Sequence, residues 1–155
     1  MPENINLLII PDASTNDIEQ CKSLKEKGLD IIILDHHISN GINPYAIVVN
    51  NQMCKYQNKA LSGVGIVYKF LQALDEETWN EYADNFLDLV ALGNIADVMD
   101  IREFETRRLI DKGLANIKNH LIKALIEKQS YSMGKTINIT NIQFYIVPLI
   151  NALVS

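Results

Sequence analysis

The sequence has few cysteines, no long apolar run and no excess of positive charge. Its two cysteines, Cys21 and Cys54, lie in no Cys-x-x-Cys or Cys/His spacing, so they predict reduced, partly buried thiols rather than a disulfide framework or a zinc site. No apolar run approaches the ~18 residues needed to span a bilayer, and residues 1–4 lack the basic start of a secretory leader. We therefore predict a cytoplasmic protein with no membrane contact.

Acidic residues outnumber basic ones, which restricts the choice of partners. Nineteen Asp and Glu against fourteen Lys and Arg give a net charge of −5, whereas surfaces that bind nucleic acid are normally basic. A nucleic-acid partner would therefore require unevenly placed charges. Because 48% of the residues are hydrophobic and only 7 are Gly and 4 are Pro, collagen-like and low-complexity classes are excluded and an ordinary globular domain remains.

The first fifty residues predict a parallel strand-helix-strand unit. Two short apolar runs rich in β-branched residues, 5–10 and 30–34, indicate strands buried on both faces. Between them, apolar residues recur at helical spacing over 18–25, and residues 14–16 offer N-caps for that helix. The two strands should be parallel with a right-handed crossover. A third strand is predicted over 45–49, between turn residues.

The rest of the chain predicts helices. Apolar residues share one helical face over 62–74, over 82–93 and over 110–117. A last helical run begins at Thr140 and should stop at Pro148, because proline lacks the N–H that continues a helix.

We accordingly predict an α/β fold in one domain. Its parts are a parallel sheet in residues 1–50, a mostly helical part in 60–130 and an end segment in 136–155. Since sheets commonly have about five strands, strands are expected to be missing on the N-terminal side. The aromatic residues Trp79, Phe86 and Phe104 are assigned to the core rather than to a platform for stacking bases.

Polar residues follow the first two predicted strands. Asp12 comes after the first strand, and Asp35, His36 and His37 follow the second. Adjacent strands lie ~4.8 Å apart, so these groups could share one coordination sphere. Carboxylates and imidazoles without thiolates suit Mn²⁺, Mg²⁺ or Fe²⁺ better than structural zinc. Asp12 also fits a turn or cap residue. The histidines should point opposite ways in extended chain, so that one binds metal and the other meets substrate.

Two further elements carry chemistry. Asp97 ends the helix predicted over 82–93; if buried, its carboxylate needs a cation or donors, and the alternative is a solvent-exposed Asp at a helix end. Gly63 and Gly65 begin the helix over 62–74. They fit either anion binding by backbone N–H groups or close helix packing.

These elements, in this order and spacing, resemble the DHH phosphoesterases, and within them the RecJ-type exonucleases specific for single-stranded DNA. The resemblance extends over almost the whole chain. It rests on Leu8–Asp12, similar to the family's second motif; Ile33–His37, the DHH motif; Leu61–Gly65, a small-residue helix entry; Gly93–Val98, similar to the fourth motif; Arg107–Leu114, which follows it; and Phe144–Ala152, similar to the segment that closes the RecJ catalytic domain.

The resemblance implies a two-metal phosphodiesterase that uses Mn²⁺ or Mg²⁺ and removes nucleotides from the 5′ end of single-stranded DNA in repair and recombination. Carried over to this sequence, Asp12 would bridge both metals, and His36 and Asp97 would complete the shell of one of them. His37 would contact the scissile phosphate, and Asp35 would orient an imidazole from behind.

The sequence departs from the family pattern at both ends. The Asp-x-Asp of the first motif does not precede Asp12, so half of the two-metal site is expected here. Leu149 and Leu153-Val154 stand where the family typically has arginines, and Asn151 is left as a substrate-binding candidate in this segment. The second lobe and the oligonucleotide-binding domain of RecJ have no counterpart. We therefore expect a DHH catalytic domain that is incomplete at both ends.

Three hypotheses about function stay open. The first is a nuclease whose first motif lies upstream of Met1. The second is another DHH enzyme, an oligoribonuclease or a cyclic-dinucleotide phosphodiesterase, against which the segment from Ile146 to Ala152 argues. The third is a domain that folds and binds partners but has lost catalysis, which the acidic charge and the missing Asp-x-Asp favour.

Overall fold

The β-branched runs near the N-terminus form parallel strands. In the computed structural model, which describes residues 5–134 and 136–154, the bounds are β1 Leu7–Pro11, α1 Ile18–Glu26, β2 Asp30–Asp35 and β3 Ile47–Asn50. Within those residues the sheet has the order β1-β2-β3, and both neighbouring pairs are parallel. The predicted α/β class with a parallel sheet is confirmed.

The register of the strands aligns their carboxyl ends. Pro11 pairs with Leu34, and Asp35 pairs with Asn50. The backbone N–H of Asp12 continues the ladder by donating to the carbonyl of Leu34 at 2.8 Å. Asp12, Asp35 and Asn50 therefore form a row across the sheet at the edge where open parallel sheets bind ligands.

The prediction that the first strand is buried on both faces is wrong. β1 lies at an edge of the described sheet, and Leu7 and Ile9 on one of its faces are 49% and 47% exposed. Burial on both faces is found instead in the central strand β2, where Ile33 and Leu34 are both buried. An edge strand has a neighbour on one side only, so its apolar composition by itself does not bury it.

Helix α1 covers one face of the sheet. Cys21 on α1 packs in a buried cluster with Ile31 and Ile33 of β2, and Ile10 of β1 packs against that cluster. The Cys21 thiol is buried, whereas Cys54 is exposed, which corrects its assignment as partly buried. The structure gives both cysteines as free thiols, as predicted.

Helices form most of the chain after β3, as predicted. They are α2 Gly63–Thr78, a 3₁₀ turn Ala83–Phe86, α3 Leu87–Ala96, α4 Phe104–Ala115, α5 His120–Lys128, α6 Ser130–Met133, α7 Ile139–Asn141, a π-helical turn Ile142–Ile146 and α8 Val147–Val154. The chain divides into two compact units, Met1–Phe70 and Leu71–Ser155. The assignment of residues 1–155 to one catalytic domain stays a prediction.

The second unit has its own core. Ile95 of α3, Ile110 of α4 and Ile146 of the π-helical turn belong to one buried cluster. Gly113 allows α3 and α4 to pack closely: a Cβ added there would lie 2.6 Å from the Cβ of Ala91 and 2.8 Å from the carbonyl carbon of Leu87. Both distances are below van der Waals contact, so only glycine fits this helix crossing.

Two predictions for the helical region are wrong. The last helix does not stop at Pro148, which is the second residue of α8. Helical structure runs without a break from Ile139 to Val154, and the π-helical turn Ile142–Ile146 comes just before Pro148, so the regular hydrogen-bond ladder that a proline interrupts is already altered there. Trp79, Phe86 and Phe104 are 95%, 48% and 74% exposed rather than buried. Trp79 follows α2, Phe86 ends the 3₁₀ turn and Phe104 begins α4, so each lies at the end of a helical element.

Among the helices of the described residues, none is long and apolar enough to cross a bilayer. The cytoplasmic assignment stays a prediction.

Replacing Gly113 by alanine tests the crossing of α3 and α4. We expect Gly113→Ala to lower the free energy of unfolding, because overpacking costs about 1–3 kcal/mol and outweighs the gain of about 1 kcal/mol in helix propensity. Urea unfolding measures the change. Gly41→Ala is the control, since nothing lies within 4 Å of a Cβ added at Gly41. A Gly113→Ala chain as stable as the original would contradict the close packing.

Candidate metal centre

Four titratable side chains meet at the carboxyl edge of the sheet. Asp12, Asp35, His36 and His37 each offer one ligand atom, and these atoms all lie within 4.8 Å of one another. Parallel pairing of β1 and β2 places them together, because Asp12 continues β1 at the level where β2 ends. Carboxylate and imidazole atoms are donors that Mn²⁺ and related divalent cations accept. The cluster therefore fits a divalent metal.

The Asp12 carboxylate lies beside the His36 ring, which is mostly enclosed. The Nε2 atom of His36 lies 3.2 Å from Oδ1 of Asp12, and the Asp12 side chain is about half exposed. Asp12 has a φ of +58° and Ser14 a φ of +76°. Left-handed conformations are uncommon in residues other than glycine and persist only where the surroundings impose them. Two such residues so close together indicate that the turn after β1 is held in a set conformation.

Gly63 at the start of α2 packs directly against Asp12. A Cβ built on Gly63 would overlap the Asp12 carboxylate and would lie 2.5 Å from the Asp12 Cβ. Of the two explanations for this glycine, close packing is the one that the structure supports. The absence of a side chain at position 63 leaves the Asp12 carboxylate the space that it occupies beside His36.

Asp35 is fully buried and surrounded by donors. Its Oδ1 accepts from the backbone N–H of His36 at 2.8 Å and of His37 at 3.3 Å, and it lies 2.6 Å from His37 Nδ1. Its Oδ2 accepts from the Thr15 hydroxyl at 2.7 Å and the Thr15 N–H at 3.2 Å. Five donors occupy the lone pairs of one carboxylate. Asp35 is therefore a supporting group, which leaves Asp12, His36 and His37 to meet a metal or a substrate.

The same contacts keep Asp35 ionised. Burial raises the pKa of its carboxyl. The hydrogen bonds from Thr15, from the His37 ring and from the two backbone N–H groups lower the pKa by a larger amount, so that it is about 2. Hydrogen bonds that favour the charged form outweigh desolvation in this case. A buried negative charge thus lies directly behind His37.

The two histidines do not point in opposite directions, which corrects the prediction from extended chain. β2 ends at Asp35, and the backbone N–H groups of His36 and His37 both turn toward its carboxylate. The two rings lie side by side, with centroids 4.6 Å apart and planes tilted by 56°. Both imidazoles therefore belong to one cluster. His37 uses Nδ1 on Asp35, so any contact of its ring with a metal or a phosphate has to be made by Nε2.

Two residues of this site were missed from the sequence. Thr15 was expected only as a possible helix cap, yet α1 has Asp17 as its N-cap residue, and the Thr15 hydroxyl bonds Asp35 instead. Asn50 directly follows the predicted third strand, where a turn is expected; the structure has it as the last residue of β3, and its side-chain amide donates to Thr15 Oγ1 at 3.2 Å and to the His37 carbonyl at 2.9 Å. The sequence signal for Asn50 was its position at the end of a strand that pairs with the one ending in Asp35.

The remaining site candidates lie in the second unit. Asp97 is the C-cap residue of α3 and is exposed, so the alternative of a buried carboxylate is wrong. The next residue, Val98, has a φ of +53°, a strained conformation for a β-branched residue. In the following loop, Nε and Nη2 of Arg102 donate to the Asp100 carboxylate and lower the pKa of Asp100 to about 2. Asn151 is exposed on α8. The roles of Asp97 and Asn151 stay predictions.

The chain matches a known family model and several known proteins. Residues 1–94 match the model of the DHH family, N-terminal domain. A protein of Bacillus subtilis with the name prophage-derived single-strand DNA-specific exonuclease YorK is 46% identical over 153 residues, which are 98% of this chain and 27% of that protein. The single-stranded-DNA-specific exonuclease RecJ of Bacillus subtilis is 35% identical over 153 residues, which cover 95% of this chain and 19% of that protein.

Solved structures agree with this similarity. Exonuclease RecJ bound to manganese matches 95% of this chain at 27% identity, with a TM-score of 0.80, and the match covers 38% of that chain. RecJ of Thermus thermophilus in complex with Mn²⁺ matches 96% at 27% identity, with a TM-score of 0.81, and the match covers 23% of that chain. This chain thus spans between about a fifth and a quarter of the length of the curated relatives named above.

Removing the Asp12 carboxylate tests the metal centre. We expect the chain to bind one Mn²⁺, and Asp12→Ala to weaken binding by at least about tenfold, because loss of a ligand exceeds the loss of a supporting group. Isothermal titration calorimetry measures the affinity. Asp17→Ala is the control, since Asp17 is a nearby exposed acid whose side chain makes no cap hydrogen bond. No Mn²⁺ binding, or binding unchanged in Asp12→Ala, would refute the assignment.

A side chain at position 63 should lower the same Mn²⁺ affinity by displacing Asp12. We expect Gly63→Ala to displace the Asp12 carboxylate and to weaken Mn²⁺ binding about tenfold, without removing any ligand. The comparison is with Gly41→Ala, which adds the same methyl group to open space. If Gly63→Ala binds Mn²⁺ like the unchanged chain, the contact with Asp12 does not position the carboxylate.

Proposed function

This chain belongs to the DHH family, and on that premise we propose that it is the metal-binding part of a RecJ-type exonuclease specific for single-stranded DNA. The observation that carries the proposal is the cluster of Asp12, Asp35, His36 and His37 at the carboxyl edge of the parallel sheet. The relatives that cover nearly all of this chain bear the names of single-strand DNA-specific exonucleases, which supports the same substrate class.

The proposed cofactor is Mn²⁺ or Mg²⁺, and the residues present supply half of a two-metal site. Asp12 and His36 are the proposed ligands at the carboxyl edge of the sheet, and Asp97 is a proposed metal ligand on the resemblance to RecJ alone. The choice of Mn²⁺ is supported by the manganese in two solved RecJ structures that this chain resembles. When bound, a divalent cation supplies Lewis-acid stabilisation of the charge on a phosphodiester.

The protein groups have distinct tasks in the proposed reaction. Asp12, half exposed, presents its carboxylate to the cation, and Gly63 keeps the space for it. His37 contacts the scissile phosphate through Nε2, since Nδ1 bonds Asp35. Because its pKa is about 2, Asp35 is negatively charged at neutral pH. Its carboxylate therefore holds a proton on His37 Nδ1 and orients the ring. Asn151 is the proposed substrate contact on α8.

Single-stranded DNA is the proposed partner, with digestion from the 5′ end. The direction follows from the resemblance to RecJ. The net charge of −5 does not oppose this assignment, because the acids that bind the metal account for part of it and a bound cation offsets them locally. The cytoplasmic location belongs to the same proposal.

Exchange of the matching segment tests the proposal directly. Because 153 residues align with the YorK exonuclease of Bacillus subtilis at 46% identity, we expect a YorK chain that carries this segment in place of its own to digest single-stranded DNA with Mn²⁺. Release of label from 5′-labelled and 3′-labelled oligonucleotides reports both rate and direction, and unaltered YorK sets the reference rate.

The matched control is the same chimera with Asp12→Ala, which should lose at least about a hundredfold in rate, as expected when a group that stabilises charge in the transition state is removed. A folded chimera that leaves DNA intact while YorK digests it would support a domain without catalysis. Preferential hydrolysis of short RNA or of cyclic dinucleotides by the chimera would support another DHH activity.

A further inference from the structure

A buried polar network lies behind the two histidines. Thr15, Asp35 and Asn50 are 2%, 0% and 3% exposed, although each side chain is polar or charged. They come from three successive parts of the first unit: the turn after β1, the end of β2 and the end of β3. Buried polar groups are costly unless they are hydrogen-bonded. The bonds between these residues therefore explain why they are tolerated here.

The hydrogen bonds of this network run in one direction, with Asn50 donating to Thr15 and Thr15 donating to Asp35. The Oδ1 atom of Asn50 accepts from the backbone N–H of Gln52 at 2.8 Å, which fixes the orientation of the amide. Its Nδ2 then donates to Thr15 Oγ1 and to the carbonyl of His37. Since Thr15 Oγ1 accepts that bond, its own proton goes to Asp35 Oδ2 at 2.7 Å. Oδ1 of the same carboxylate is left to face His37 Nδ1.

We infer that Thr15 and Asn50 are positioning residues for His37, acting through the Asp35 carboxylate. The inference rests on the proposed function of His37 and goes beyond it, because neither residue touches a ligand atom. Asn50 holds His37 at its backbone, and Thr15 fixes the rotation of the carboxylate that holds the ring. Together they set where His37 Nε2 points.

The position of Thr15 supports a role of this kind. Thr15 precedes the N-cap residue Asp17 by two positions, so it is not needed to begin α1. Its neighbour Ser14 is in the left-handed region, with a φ of +76°. Both the N–H and the hydroxyl of Thr15 bond the same oxygen of Asp35. A strained residue is tolerated when the surrounding contacts impose it, and the double contact with Asp35 is such a constraint.

The experiment compares variants that differ in one hydroxyl or one amide. Thr15→Val keeps the shape of the side chain and removes the donor, and Thr15→Ser restores the donor. Asn50→Ala removes the second part of the network. Asn51→Ala is the matched control, because Asn51 is equally buried at 3% but bonds the carbonyl of Asn58 instead.

Two readouts are taken on the whole 155-residue chain. The first is the ¹⁵N and proton NMR signature of His37 without metal, which reports whether Nδ1 carries the proton and shares it with Asp35. The second is Mn²⁺ affinity by calorimetry. We expect Thr15→Val and Asn50→Ala to alter the His37 signature and to lower the affinity by about tenfold, the usual effect of removing a supporting group.

The controls separate positioning from folding. Thr15→Ser should match the unchanged chain in both readouts. Asn51→Ala should lower the temperature of unfolding but leave the His37 signature unchanged. An unchanged signature and affinity in folded Thr15→Val, or a Thr15→Ser chain as impaired as Thr15→Val, would overturn the inference. If Thr15→Val does not fold, Asn50→Ala is compared with Asn51→Ala instead. An unchanged His37 signature and Mn²⁺ affinity in Asn50→Ala would then overturn the inference.

Failure of this inference differs from failure of the proposed function. The NMR readout needs neither metal nor DNA, so an unchanged His37 in Thr15→Val removes the positioning role and leaves the nuclease proposal in place. A chain that binds no Mn²⁺ but shows the expected changes at His37 removes the metal site and leaves the positioning role.

Discussion

The buried carboxylate of Asp35 is the constraint on which the site depends. It is fully enclosed and still ionised, because five donors converge on its two oxygens. An unpaired charge at this depth would be costly, so the loop after β1 and the bend after β2 have to adopt conformations that deliver those donors. The same bonds fix His37 and place His36 beside Asp12. One electrostatic requirement thus organises three strand ends.

Close packing against the Asp12 carboxylate is a second constraint on the site. Gly63 begins α2 against the Asp12 carboxylate, with no room for a Cβ. Asp12 itself is held in a left-handed conformation. The start of α2 therefore fits against Asp12 because position 63 has no side chain. In the second unit, Gly113 has a comparable steric role between α3 and α4.

Local sequence patterns predicted the helices and strands better than they predicted which residues are buried. The β-branched runs, the helix between them and the helical second part were all present, because backbone preference and periodicity are local properties. Burial of β1 and of the aromatic residues was predicted wrongly, since burial depends on what packs against a residue. The helical run continued past Pro148, where a π-helical turn directly precedes the proline, and no short sequence pattern predicts such a turn.

The sequence by itself determined the parallel strand-helix-strand unit and the chemical types gathered at its edge: Asp12 after one strand, and Asp35, His36 and His37 after the next. Only the tertiary structure decided their division of labour. Register placed Asn50 beside Asp35, and a turn with two left-handed residues brought Thr15 to the same carboxylate. The residues in these contacts are separated by between 15 and 35 positions of the sequence. A hydrogen bond between residues so far apart leaves no local pattern in the sequence.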